Sequence, residues 1–198
     1  MCLRTVLGCW LPAVARCGSV WPVEDGEVEE EGGEDVAVQV SLSAESRQVI
    51  RQSWREIQED ISRVGVIVFC RLFETHPEYK DAFLVVRDID DLETLRNSRE
   101  LRAHSLSVMS FIEKTVARID QDELLFELIL DLGKKHYQYN ALPKYYQFMG
   151  EEFIQAVQPV LKERWSSDLE EAWKTLFLYI TSTMKRGFQQ AQRDQNHI

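Results

Sequence analysis

Glycine, proline and cysteine are all scarce in this chain of 198 residues, which holds nine, five and four of them. With the glycines scattered or gathered in an acidic stretch, there is no glycine-rich loop of the kind that cradles phosphates. Three of the four cysteines fall in the first seventeen residues, and Cys70 stands alone in the body. No CxxC spacing exists, so neither a zinc site nor an iron–sulfur site is indicated. No disulfide staples the body, which reads as intracellular. Basic residues are outnumbered, 23 against 33 acidic ones, for a net charge of −10. An acidic chain without a basic stripe is a poor partner for nucleic acid. Apolar runs are too short to span a bilayer as a helix. No segment alternates with period two between turn signals, so strands are not expected.

Charge divides the chain. The first forty residues carry Arg4 and Arg16 against eight carboxylates, so six of the ten net negative charges lie there. The run EDGEVEEEGGED is too acidic and too poor in apolar residues to pack, and it reads as a disordered spacer. Residues 1–40 are therefore expected to be an N-terminal extension and residues 41–198 the folded domain.

Six to eight helices are predicted in that domain. Ser43 is a plausible N-cap for AESRQVIRQSWREIQ. SRVGVIVFCRLFETH is apolar almost all round, as a helix enclosed by others should be. Helical spacing recurs over Leu101–Val116 and Glu123–His136. Pro143 is expected to open a helix through QAVQPVL, and Ser167 or Asp168 to cap the last one.

Two of these helices put a histidine on an apolar stripe. Leu125, Leu128, Ile129 and Leu132 lead by steps of three and four to His136. Leu101, His104, Val108, Phe111, Ile112 and Thr115 share a face of another helix. Each histidine alone reads most simply as a hydrogen-bonded core residue, but two of them need two buried partners. Zinc asks for three or four protein ligands, and neither His76 nor His197 is placed to help. Haem asks for one or two imidazoles and an apolar slot, because the porphyrin supplies four nitrogens.

With these residues in place the chain resembles the globin family, over roughly residues 42–190. FCRLFETHPEYKDAF is similar to the globin helix pair that ends in the haem-stacking phenylalanine, here Phe83. LRAHSLSVM resembles the distal-histidine helix and LGKKHYQY the proximal segment. The resemblance implies an all-α globin fold, haem b as cofactor, His136 as proximal and His104 as distal iron ligand. It also implies Phe69 and Val108 as walls of the distal pocket. Lys135 is a candidate for a haem propionate, with a solvated surface lysine as the plainer alternative. IRQSWRE and the spacing of the two histidines are neuroglobin-like, and the long cysteine-bearing N-terminus suggests the globin X branch.

Two departures stand out. Residue 2 is Cys2 rather than glycine, which excludes N-myristoylation. Ser107 stands where neuroglobin carries a lysine near the haem edge.

The function implied is a six-coordinate, bis-histidine globin. It would bind O2, CO and NO and serve redox, gas-sensing or nitrite-reducing chemistry with an electron donor, rather than bulk O2 transport. The competing expectation is a haem-free, all-α interaction module. At the front end three alternatives stand: S-acylation at Cys2, Cys9 or Cys17 that tethers a cytoplasmic protein to the inner face of a membrane, a secretory signal, or a plain unmodified tail.

Overall fold

Ser43 starts the first helix as its composition suggests: its Oγ accepts the Ser46 N–H at 3.1 Å, and α1 runs Ala44–Ile57. The coordinates are a computed structural model that describes residues 41–83, 86–146 and 148–196. Cys2, Cys9, Cys17 and the acidic run lie outside the described residues.

Six further α-helices follow: α2 Ile61–Thr75, α3 Leu92–Asn97, α4 Arg99–Ala117, α5 Asp122–Gln138, α6 Met149–Leu161 and α7 Ser167–Asn196. Among the described residues there is no strand, so the all-α expectation is met. No helix among them is long and apolar enough to cross a membrane. Short polar side chains set the starts, because the first N–H groups of a helix need outside acceptors. Asp91 Oδ2 accepts the Thr94 N–H at 2.7 Å ahead of α3, and Ser98 Oγ accepts the Leu101 N–H at 3.2 Å ahead of α4.

The interior forms two clusters. The larger gathers Ile50, Trp54, Val64, Met109, Ile129, Phe153, Trp173 and Leu176 from α1, α2 and α4–α7. Its centre, Trp173, has no exposed surface and donates its indole N–H to Ser53 Oγ at 3.1 Å. The smaller cluster holds Phe69, Leu72, Phe73, Tyr79, Leu95 and Leu101 around the α2–α3–α4 corner. Val108 and Met149 pack against both clusters and mark the seam between them.

Two helix starts differ from the sequence reading. Pro143 opens only a 3-10 turn, Pro143–Tyr145, and α6 begins six residues later. The intervening Tyr146 is buried and Phe148 stacks on His76, anchors that draw the segment off a helical path. The last helix is capped by Ser166, whose Oγ accepts the Leu169 N–H at 3.2 Å, one residue before the expected Ser167. It also runs past Phe188 to Asn196.

Candidate functional site

The placement of His136 begins with a glycine three residues earlier. The fully buried line on α5 is Leu125, Ile129 and Gly133, one step round from the expected Leu128, Leu132 and His136, which are half-buried. A Cβ on Gly133 would lie 2.1 Å from the Met184 carbonyl oxygen, and one on Gly187 would lie 2.2 Å from that of Leu130. The backbones of α5 and α7 thus meet directly, which a methyl group would prevent. With that line pressed on α7, the neighbouring stripe carrying His136 lies beside the contact.

The His136 ring is then fixed by a hydrogen bond. Its Nδ1 lies 2.9 Å from the Leu132 carbonyl oxygen, one turn back. A carbonyl can only accept, so Nδ1 carries the proton and Nε2 keeps its lone pair. Tyr146 meets the ring edge-on, with centroids 5.4 Å apart and planes at 77°. Burial lowers the pKa of His136, and the Leu132 hydrogen bond offsets part of that.

His104, on α4, sits between aromatic edges. Phe69 lies 4.8 Å away at 72° and Phe83 lies 5.0 Å away at 71°. Those two phenylalanines are 5.8 Å apart, and Phe73 closes the group at 5.2 Å from Phe83. Some of the residue's surface stays accessible, yet burial of the imidazole, with a smaller contribution from the charge of His136, pushes its pKa down to about 4. The two imidazoles, from different helices, are thus near enough for the charge of one to disfavour that of the other.

Of the residues singled out in the sequence, Phe69, Phe83 and His104 are in mutual contact, and Val108 lies one turn beyond His104 at the seam. Lys135 is engaged elsewhere: its Nζ pairs with Asp131 Oδ2 at 2.6 Å on the outer face of α5. Ser107 is exposed and its hydroxyl donates to the Ala103 carbonyl at 2.9 Å. Cys70 is buried, and burial raises its thiol pKa, as suits an inert structural thiol.

Sequence reasoning missed Tyr146 and Phe73. The Tyr146 hydroxyl is buried with no hydrogen-bond partner, and burial pushes its pKa up to about 12. The run of tyrosines after His136 was the available signal, but which of them turns inward depends on the loop.

The donor set decides what this site can hold. Among the described residues no three His, Cys, Asp or Glu side chains come together for a metal ion. Two neutral imidazoles between aromatic walls cannot satisfy zinc. They suit a flat apolar macrocycle that brings four nitrogens of its own, and the Nε2 lone pair of His136 could serve as a ligand to its iron.

The described body is all-helical and carries one of the two apolar-stripe histidines on each of α4 and α5. The globin family model matches residues 66–184, more than half of the chain, and the chain belongs to the globin family. Neuroglobin of Tetraodon nigroviridis is 29% identical over 147 residues, covering 74% of this chain and 92% of that protein. Cytoglobin-1 of Oryzias latipes is 23% identical over 150 residues, covering 75% of this chain and 85% of its own length. Among solved structures, a hexacoordinated haem protein from an anhydrobiotic tardigrade shares the fold with a TM-score of 0.70 at 21% identity, covering 75% of this chain and 96% of that one.

Proposed function

We propose that this globin binds haem b between His136 and His104, as a six-coordinate protein of the neuroglobin-like kind and of its globin X branch. The observation that carries the reading is the locked tautomer of His136, whose Nδ1–H is held by the Leu132 carbonyl. The family membership and the hexacoordinated haem protein with this fold support it.

Bound haem would supply an iron that takes up diatomic gases and changes oxidation state by one electron. The residues do the rest. His136 holds the proximal side permanently, because its second nitrogen is tied to the helix. His104 would be the displaceable ligand, with which O2, CO or NO would compete. Apparent affinity falls by the fraction of molecules in which His104 has stepped aside. Phe69, Phe83 and Val108 keep water out. A protein that holds its own sixth ligand suits electron exchange, gas sensing or nitrite reduction with an external electron donor, rather than bulk transport. For the N-terminus we propose a cytoplasmic protein tethered by acylation among Cys2, Cys9 and Cys17, where a single chain binds only weakly and two are needed for stable attachment.

The test is a spectrum. After haem addition, the reduced, ligand-free protein should show sharp, split visible bands, the mark of two axial histidines. His104→Leu should then bind CO faster than the parent. An unchanged CO rate in that variant rejects six-coordination, and the lack of any Soret band after haem addition leaves the haem-free interaction module.

A further inference from the structure

Among the described residues, the Tyr146 hydroxyl is the one buried side-chain polar atom without a hydrogen-bond partner. The residue is only 7% exposed. Its phenol keeps its proton at neutral pH, which makes it a donor in want of an acceptor. Native interiors seldom leave such a group unmatched, because burial without a partner forfeits its bonds to water.

The local backbone fixes where the ring goes. Tyr145 ends the 3-10 turn Pro143–Tyr145 and Tyr146 caps it, with the Tyr146 N–H donating to the Pro143 carbonyl at 3.3 Å. The two tyrosines part there. Tyr145 packs against the smaller cluster and meets Tyr79 edge-on at 5.6 Å, while Tyr146 joins the larger one and stands against His136, with 5.4 Å between ring centroids. The ring accounts for that packing, and a phenylalanine would fill the same space. The hydroxyl is the part that packing leaves unexplained.

Polar groups beside the imidazole are engaged with one another. The Leu132 carbonyl lies 2.9 Å from His136 Nδ1 and accepts its proton, and Lys135 pairs with Asp131 at 2.6 Å. Haem b would bring acceptor oxygens of its own: the iron engages its four nitrogens, and its two propionate carboxylates remain.

We propose that Tyr146 is a further cofactor-binding residue, whose hydroxyl finds its acceptor oxygen only when haem is in place and thereby helps to retain it. The inference rests on the haem reading above, with His136 on the proximal side, and stands whether or not His104 ligates. The acceptor is a cofactor carboxylate or a water closed in by the macrocycle. Either way the hydroxyl acts with opposite sign in the two states. Without haem it is a buried donor with no bond, so its removal costs no stability. With haem it makes a bond that its removal loses.

The experiment compares the full-length parent with Tyr146→Phe, which keeps the ring and drops the oxygen. Haem-free, the variant should unfold at the same urea concentration as the parent or a higher one. Loaded with haem b, it should release haem to an acceptor apoprotein about ten-fold faster. A parent that takes up no haem rejects the functional reading and this inference together. A haem-binding parent whose variant releases haem at the parent's rate rejects this inference alone. So does a haem-free variant that is less stable than the parent or unfolded, because the hydroxyl then has a partner within the protein. Loading both proteins with iron etioporphyrin, which bears alkyl groups in place of the carboxylates, names the acceptor. Loss of the difference in release assigns it to a carboxylate, and persistence assigns it to an enclosed water.

Discussion

His136 and His104 sit in different surroundings. His136 is bonded through Nδ1 to its own helix at 2.9 Å, so rotation of the ring would break a buried hydrogen bond. His104 is flanked by the edges of Phe69 and Phe83. His136→Ala should therefore abolish stable haem retention, read as transfer of haem to an acceptor apoprotein within mixing time, while His104→Leu keeps its haem. Both histidines and the Leu132 bond were legible in the sequence, because each rests on spacing within one helix. Tyr146 was not, since its meeting with His136 depends on the path of the intervening loop.

At the scale of elements, the approach of α5 to α7 determines where His136 stands. Gly133 and Gly187 look incidental in the sequence, two among scattered glycines. Only the crossing reveals that each lies against the other helix's backbone. Gly133→Ala should cost about 2 kcal/mol or more of unfolding free energy, as overpacking of a closed contact does, and urea denaturation of the haem-free protein measures it. Haem should also dissociate faster from that variant, because His136 is one turn from the displaced contact. The helices themselves were readable from apolar spacing and from caps such as Ser43. The start of α6 was not: Pro143 favours a helix locally, and the anchoring of Tyr146 and Phe148 overrides that preference.

For the whole molecule, burying two imidazoles sets a price in acid. Both have pKa values lowered in the fold, His104 to about 4 from an ordinary 6.5. Between those values the unfolded chain binds more protons than the folded one, so stability rises with pH there. The contribution is complete above pH 6.5 and is lost as pH falls toward 4. From His104 alone the loss amounts to about 3 kcal/mol. Urea midpoints of the haem-free protein at pH 7 and pH 4.5 should differ accordingly, and His104→Leu should flatten the difference. The fold class was legible at this scale from what the chain lacks, with no alternation for strands and no phosphate loop. The seam between the two clusters was not, because it is made by residues far apart in sequence.

The first helix is fastened to the turn between the two histidine-bearing helices. Arg47 donates to the Ile119 carbonyl and pairs with Asp122 Oδ1 at 2.6 Å, and Arg51 pairs with Asp120. A mechanical load applied ahead of Ala44 would pass through these two guanidinium anchors into the turn between α4 and α5, as well as through the buried face of α1 into the core. Tension on this end of the chain would be felt at the helices that carry His104 and His136.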